Sequence, residues 1–291
     1  MRPNGLVVDE DSPLFAVLAA LARDARLVFF AGLPGTGKSL LIHQLAHLAH
    51  ARGRRVHLLQ WDVARPVFEA SAAGARYPQV RDVTHGVIRL AVGRWARGAL
   101  ARWHDQHAGS DGLLIGETPF IGHRLVDLAR PADDAAEPLL AADSARFVIP
   151  VPSRALREHL ESERSRRARD PLHRREQEDA PPAVLRDLWR QLVGVARTLG
   201  MAAPAAHSND DVPYDPAVYQ RVYEHLLAHR HAEALALDTR LPTEHFSAYE
   251  FRIPAVDVIP GALDVERCIR EVEAGYPETA AVERAIEQWY R

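Results

Sequence analysis

Residues 32–39, with the sequence GLPGTGKS, have the types and spacing that bind phosphate groups. They satisfy the pattern G-x-x-x-x-G-K-[ST] with Gly32, Gly37, Lys38 and Ser39. Glycines let successive backbone N–H groups point at one anion, and a helix that begins here adds the positive end of its dipole. This stretch therefore predicts a site for the phosphates of a nucleoside triphosphate. The residues predicted to bind the nucleotide are Gly32, Leu33, Pro34, Gly35, Thr36, Gly37, Lys38, Ser39 and Leu40.

Lys38 is the predicted catalytic cation of this loop. It is the only lysine among 291 residues, which include 35 arginines. A compact ammonium fits inside a phosphate-binding loop where a planar guanidinium does not, so a chain that otherwise uses arginine keeps lysine there. Lys38 is predicted to reach the β- and γ-phosphates, and the Ser39 hydroxyl to be the protein ligand of Mg²⁺. ATP and Mg²⁺ are the expected cofactors.

Two acidic positions follow predicted strands and are candidates for the acceptor side of the site. Asp62 and Arg65 form D-x-x-R just after the second strand, where parallel sheets bind ligands. Asp62 is predicted to accept the proton of an attacking hydroxyl, and Arg65 to hold the acceptor. Glu117 and Thr118, at the end of the third strand, are predicted substrate contacts. The alternative for each acid is a local role as the cap of the following segment.

The most charged window of the chain spans 164–179 and contains six arginines. One interpretation is a solvated helix face, whose exposed ion pairs contribute little stability. The other is a lid over the γ-phosphate, because an arginine supplied in this way accelerates phosphoryl transfer by roughly 10³–10⁵. An Asp-Pro pair at 170–171 breaks the helix. In the lid interpretation, Arg164 and Arg175 are predicted to be catalytic and Arg167 to bind the nucleotide.

Composition argues against several classes of function. The formal net charge is −3, so no global field attracts nucleic acid or an acidic membrane surface. Cys268 is the only cysteine and cannot form an internal disulfide, which fits a reducing cytoplasm. The first residues do not have the pattern of a signal peptide, and no run reaches the roughly 18 apolar residues that span a bilayer. The 15 histidines lack the spacing of metal ligands. We expect a cytoplasmic protein without a membrane segment.

The candidate residues depend on a particular order of elements. Hydrophobic patterns predict strands over 26–31, 56–61, 113–116, 146–150, 234–238 and 248–253. Caps, prolines and helical periodicity predict helices over 13–24, 84–107, 122–129, 153–169, 215–231 and 264–274, with others after the phosphate loop, from about 180 and after 277. This alternation predicts a three-layer α/β/α fold with a mostly parallel sheet.

The chain is expected to form a single domain over 1–291. The stretches 66–82 and 201–216 are interpreted as insertions and not as linkers between domains. The arginine-rich helical lid is expected at about 153–180. The part after 201 is expected to be variable and contains no diagnostic motif.

These features resemble the P-loop kinase group of small phosphotransferases, which has the P-loop NTPase fold. GLPGTGKS matches the phosphate loop of that group, and Asp62 with Arg65 is similar to the acceptor motif of polynucleotide-kinase-like enzymes. Residues 147–171 resemble the strand, proline and lid helix of nucleoside monophosphate kinases. The order of elements is similar to the zeta toxin and chloramphenicol phosphotransferase branch, which implies Asp62 as base, Glu117 beside the acceptor, and Arg164 and Arg175 on phosphate. The chain departs from that branch at 117–118, where Glu-Thr replaces Glu-Gly.

The predicted function is ATP-dependent transfer of a phosphoryl group to a hydroxyl or phosphate of a small molecule, such as a nucleoside or nucleotide-sugar. Two alternatives stay open: an ATPase coupled to a partner protein, and a kinase of nucleic-acid 5′ ends. The first usually has adjacent Asp-Glu after the third strand, and the second needs a basic channel. A GTP switch is excluded, because neither Asn4 nor Asn209 begins N-K-x-D. The oligomeric state is not specified.

Overall fold

The sheet is built around a strand that is buried at every position. In the computed structural model, which describes residues 5–81, 83–204 and 212–291, this strand is Leu27–Ala31. An uninterrupted apolar run is typical of a parallel strand covered by helices on both faces. The strands are β1 Leu27–Ala31, β2 Arg55–Leu59, β3 Gly112–Thr118, β4 Ala145–Pro152, β5 Ala232–Leu237 and β6 Ala255–Asp257.

All neighbouring strands of the six-stranded sheet are parallel, in the order β5-β4-β1-β3-β2-β6. Phe30 of β1 is level with Glu117 of β3 on one side and with Val148 of β4 on the other. The chain leaves β1 toward β2 and leaves β4 toward β5, in opposite directions. The carboxyl ends of β1 and β4 therefore border the place where open parallel sheets bind ligands.

Helices cover both faces of the sheet and create two cores. Alternate side chains of β1 divide between them: Phe29 packs in one core with Trp95 and Phe147, and Phe30 packs in the other with Leu45. The fold is thus α/β with three layers, as the sequence predicts. The helices are α1 Pro13–Asp24, α2 Lys38–Ala51, α3 Trp61–Glu69, α4 Gly86–Gln106, α5 Glu137–Leu140, α6 Arg154–Arg169, α7 Pro182–Thr198, α8 Pro216–Leu226, α9 Ala262–Gly275 and α10 Thr279–Glu287.

Helix starts with a polar cap are the best predicted boundaries. The Ser12 hydroxyl accepts from the Phe15 N–H at the start of α1, and the Ser153 hydroxyl accepts from the Leu156 N–H at the start of α6. For α4 the expected cap was displaced by one residue, since His85 and not Thr84 accepts from the Val87 N–H. The helix predicted over 215–231 is also shorter and ends at Leu226.

The stretch 66–82, interpreted from the sequence as an insertion, begins inside a helix. The second strand stops at Leu59, and α3 begins at once, so Asp62 lies in a first helical turn. Pro66 lies inside this helix, where it removes only one N–H from a short element that buries Ala64 and Phe68.

The helix predicted over 122–129 and the strand predicted over 248–253 are not formed. Phe120, Gly122, His123 and Leu125 have positive φ angles, which interrupt a helix, and only a short 3₁₀ turn, Val126–Leu128, follows them. The sixth strand lies further along the chain, at Ala255–Asp257, where it pairs with β2.

Some predictions fall on residues 1–4, 82 and 205–211, which lie outside the described part of the chain. They include the positions of Asn4 and Asn209 and much of the insertion predicted over 201–216. None of the helices in the described part is long and apolar enough to cross a membrane.

Candidate active site

The phosphate loop, residues 32–39, connects β1 to α2 and presents unpaired backbone N–H groups. Gly35 and Gly37 have φ angles of 78° and 86°, and Gly37 is the N-cap of α2 without a side-chain cap. Within the described chain, no backbone or side-chain oxygen accepts from the N–H groups of residues 35–40. Six successive donors at a helix start form a site that fits phosphate oxygens.

Lys38 lies inside this loop and is almost completely buried. Its ammonium donates to the carbonyl oxygens of Gly32 at 2.8 Å and Leu33 at 2.9 Å. Burial lowers the pKa of Lys38, while the nearby carboxylates of Glu117 and Asp62 act in the opposite direction. An ammonium has three N–H donors, so one direction remains for an acceptor such as a phosphate oxygen.

The loop fits closely against the helices that surround it. A Cβ added to Gly32 would overlap the Tyr219 hydroxyl on α8. At Gly35 a Cβ would lie 3.1 Å from the Leu185 side chain of α7 and 3.6 Å from the nearest guanidinium nitrogen of Arg164. The glycines are therefore required both by their backbone angles and by the close approach of neighbouring side chains.

Two acids lie beside the loop at the carboxyl edge of the sheet. Glu117 is level with Phe30 of β1, at the carboxyl end of β3. Burial raises the pKa of Glu117, and the charge of Asp62 raises it further. The structure thus brings Asp62, Glu117 and Lys38 into one charged cluster, although they come from α3, β3 and α2.

Thr118 and Arg65, two predicted substrate contacts, each bond to another residue of the protein. The Thr118 carbonyl accepts from the Gly32 N–H at 3.1 Å, which joins the phosphate loop to β3. The Thr118 hydroxyl is fully buried and has no hydrogen-bond partner among the described residues. Arg65 pairs with Glu69 at 2.7 Å, one turn further along α3.

Of the three lid arginines predicted to act on phosphate, Arg164 of α6 faces the phosphate loop, near Gly35. It forms an ion pair with Asp179 at 2.6 Å. The Tyr249 hydroxyl donates to the same carboxylate at 2.8 Å. Burial raises the pKa of Asp179, and Arg164 opposes this shift. The lid and the carboxyl-terminal part of the chain therefore meet at Asp179.

The other two predicted lid arginines have different surroundings. Arg175 donates to the Gln60 side chain at 3.2 Å, at the carboxyl end of β2. Arg167 is buried and bonded to Glu176 at 2.9 Å and to the carbonyls of Phe246 and Thr243. These partners fix α6 to the 243–246 segment, and the structure does not bring Arg167 to the phosphate loop.

Sequence reasoning missed Arg157, Asp179 and Tyr249. Arg157 is buried on α6 and donates to the Pro34 carbonyl of the loop at 3.3 Å. Its place one turn after the Ser153 cap could have indicated it, and Asp179 lies at the edge of the charged window. Tyr249 had no sequence signal, because nothing along the chain relates residue 249 to the loop.

The residues present fit Mg²⁺ bound together with a nucleotide. No cluster of three or more His, Cys, Asp or Glu side chains in the described part of the chain could hold a metal ion alone. Mg²⁺ in phosphate sites commonly takes few protein ligands and completes its shell with phosphate oxygens and water. Ser39 would supply the direct ligand, and the carboxylates of Asp62 and Glu117, in one charged cluster with Lys38, would be the acids available to coordinated water.

Comparison with known proteins gives no relatives for this site. A scan against protein-family models gives no match, and searches of curated proteins and of solved structures give none either. Any functional conclusion therefore rests on the geometry and chemistry of the residues themselves.

Proposed function

We propose that this protein is an ATP- and Mg²⁺-dependent kinase that transfers the γ-phosphoryl group to a small-molecule acceptor. The observation that carries the proposal is the row of unpaired N–H groups over 35–40 beside the buried ammonium of Lys38. Such donors bind the phosphates of a nucleotide. The acids next to them include Asp62, which can supply the base that a transfer reaction also needs.

Each charged group has a role in this proposal. The loop amides and Lys38 hold the β- and γ-phosphates, and Ser39 holds Mg²⁺, which neutralises charge on the phosphate oxygens. Arg164 faces Gly35 from the lid and stabilises the charge that develops on the γ-phosphate. Arg175 lies at the end of β2 and closes the site on the side of Asp62.

Asp62 is the base in the transfer step. The acceptor oxygen forms a bond to the γ-phosphorus, the bond from that phosphorus to the β–γ bridging oxygen breaks, and ADP leaves. The proton of the acceptor hydroxyl passes to the Asp62 carboxylate. A carboxylate in the first turn after β2 suits this role because it lies at the ligand-binding edge of the sheet.

The same proposal includes the location and partners of the protein. A buried free Cys268 fits a reducing cytoplasm. A small molecule is favoured as acceptor over nucleic acid, because the formal net charge is −3 and most lid arginines are paired with acids.

A screen for phosphate transfer tests the proposal. Nucleosides, nucleotide-sugars, other hydroxylated metabolites and nucleic-acid 5′ ends are incubated with protein, Mg²⁺ and γ-labelled ATP. In Asp62→Asn we expect ATP binding to be retained and transfer to fall by roughly 10²–10⁴. The matched control is Asp133→Asn, since Asp133 is exposed in a loop. Wild-type transfer by Asp62→Asn would exclude Asp62 as base, and rapid ATP hydrolysis that no acceptor stimulates would favour an ATPase.

A further inference from the structure

The loop after β3 has a strained backbone that the nucleotide site does not explain. Three residues other than glycine have left-handed φ angles in this loop: Phe120 at 60°, His123 at 63° and Leu125 at 61°. Side chains other than glycine are sterically unfavourable at such angles, and strain of this kind persists where surrounding contacts determine the loop conformation. We therefore asked which side chains this conformation positions.

The strained loop brings two guanidinium groups to one point. Arg89, in the first turn of α4, donates to the Gly122 carbonyl at 3.0 Å, and Arg124 donates to the Ile121 carbonyl at 2.8 Å. A Cβ added to Gly122 would lie 2.6 Å from a terminal nitrogen of Arg89 and 3.3 Å from one of Arg124. Gly122, with a φ angle of 62°, leaves this space to the two cations.

Neither guanidinium has a carboxylate partner in the described part of the chain. Arg89 is buried, and its hydrogen bonds go to the carbonyl oxygens of Thr84 and Gly122. Burial lowers the pKa of Arg89, and the charge of Arg124 adds to this effect. By contrast, Arg97 and Arg230, buried in the same region, pair with acids. A buried and a half-buried cation side by side, neither in an ion pair, are unfavourable for stability alone, so the pair indicates a binding role.

The guanidinium pair lies on the acceptor side of the site. Arg124 is half-buried, its guanidinium carbon is 5.9 Å from the centre of the Trp61 ring, and it lies within range of the charge of Asp62. Arg65 also acts on it electrostatically, although Glu69 already pairs with Arg65. An anion at Arg124 would thus be a neighbour of the carboxylate that we assign as base.

We propose that the acceptor is a phosphate ester with a free hydroxyl. Its phosphate binds the guanidinium group of Arg124, next to that of Arg89. The proposal rests on the kinase function above and names its substrate class. Two guanidinium groups at one point match a phosphate dianion better than a carboxylate, which carries a single charge. The acceptor hydroxyl would then lie at Asp62, between the guanidinium pair and the phosphate loop.

Calorimetric binding to matched pairs of compounds tests this inference without requiring turnover. The probes are glucose with glucose 6-phosphate and uridine with uridine 5′-monophosphate, at one fixed ionic strength. At least one ester should bind the wild-type protein ten or more times more tightly than its parent compound. Arg124→Gln should lose this preference, and Arg124→Lys should keep part of it. The control Arg146→Gln, at an exposed position of β4, should retain it.

The two pairs and a separate titration with ATP·Mg²⁺ distinguish the outcomes. Tighter binding of the ester than of its parent compound, in both pairs or in one of them, supports a phosphate subsite. It also shows whether the site accepts the sugar, the nucleoside or both. Equal binding of ester and parent compound, no binding of either ester at millimolar concentration, or an undiminished preference in Arg124→Gln would overturn the inference. If ATP·Mg²⁺ binds in such a case, the proposed kinase function stands; if it does not bind, that function fails too.

Discussion

The phosphate loop and the lid are both rich in groups that can bind phosphate, but their groups are partnered differently. In the loop, the N–H groups over 35–40 have no acceptor in the described chain, and Lys38 donates only to carbonyls. In the lid, Arg164 pairs with Asp179 and Arg167 with Glu176. In the proposed mechanism the loop can therefore bind an anion without rearrangement, whereas a lid arginine must exchange a carboxylate for a phosphate before it can act.

This contrast shows why residue type alone does not identify a functional cation. Arg164 and Arg167 are three residues apart on α6, yet one faces the phosphate loop and the other anchors the 243–246 segment. The difference arises from which acid and which carbonyls the fold places next to each side chain. Substitutions in the loop and substitutions in the lid should therefore differ in their effects on nucleotide binding, phosphoryl transfer and stability.

The largest effect is expected in the loop. Lys38→Ala removes the ammonium that would neutralise the β- and γ-phosphates, so we expect transfer to fall by roughly 10³ or more and nucleotide binding to weaken. Lys38→Arg should not restore activity, because a planar guanidinium does not fit where the ammonium bonds the Gly32 and Leu33 carbonyls. Transfer assays and equilibrium dialysis with ATP provide the measurement. Activity near the wild-type value in Lys38→Ala would remove the loop from the mechanism.

Within the lid, two glutamine substitutions should have opposite consequences. Arg164→Gln should reduce transfer by about 10³, the lower end of the range for an arginine that stabilises the transition state. Arg167→Gln should destabilise the fold by about 3 kcal/mol, because Glu176 is left buried without its ion-pair partner. The folded fraction of Arg167→Gln should keep most of its transfer rate. Urea denaturation and initial rates on both variants check this, and a reversal of the two phenotypes would refute the assignment.

Local sequence determined the loop, and long-range contacts determined the rest of the site. The glycines, Lys38 and the start of α2 follow from neighbouring residues, so a motif could predict them. Asp62 was predicted at the end of the second strand, but the helix Trp61–Glu69 that contains it was not predicted. Arg167 was predicted to bind the nucleotide, but it donates to carbonyl groups that lie more than seventy residues away along the chain.

The acceptor side was the least predictable part. The sequence around Gly122 suggests a helix, and only the left-handed angles of the loop bring Arg124 to Arg89. Likewise, Tyr249 reaches Asp179 from a segment that was predicted to be a strand. Such contacts depend on the packing of distant segments, and no local pattern records them.

The pH dependence of stability should report on the buried acid beside the loop. Burial and the Asp62 charge raise the pKa of Glu117 from 4.5 to about 7. A carboxyl with a higher pKa in the folded state binds more protons there than in the unfolded state, so it lowers the free energy of unfolding as the pH rises through this window. Glu117→Gln should lack this contribution, while Glu283→Gln, at an exposed position, should behave like wild type. Urea denaturation between pH 4.5 and 7.5 measures it, and parallel curves for wild type and Glu117→Gln would contradict the expectation.

The smallest effect is expected where the lid meets the carboxyl-terminal part of the chain. Tyr249→Phe removes the hydroxyl that donates to Asp179, while Arg164 still pairs with that carboxylate. We expect a loss of about 1 kcal/mol in the free energy of unfolding, the typical contribution of one such hydrogen bond. Thermal denaturation of Tyr249→Phe is the test. A loss as large as that expected for Arg167→Gln would mean that Tyr249 has a larger structural role than its contacts indicate.

The most direct measurement of the central claim is a nucleotide titration of ¹⁵N-labelled protein observed by NMR. If the unpaired N–H groups form the phosphate site, ATP·Mg²⁺ should shift the amide resonances of residues 35–40 first and most strongly, and Lys38→Ala should weaken this response. Unchanged resonances for these residues at millimolar ATP·Mg²⁺, or shifts confined to another region, would contradict the account.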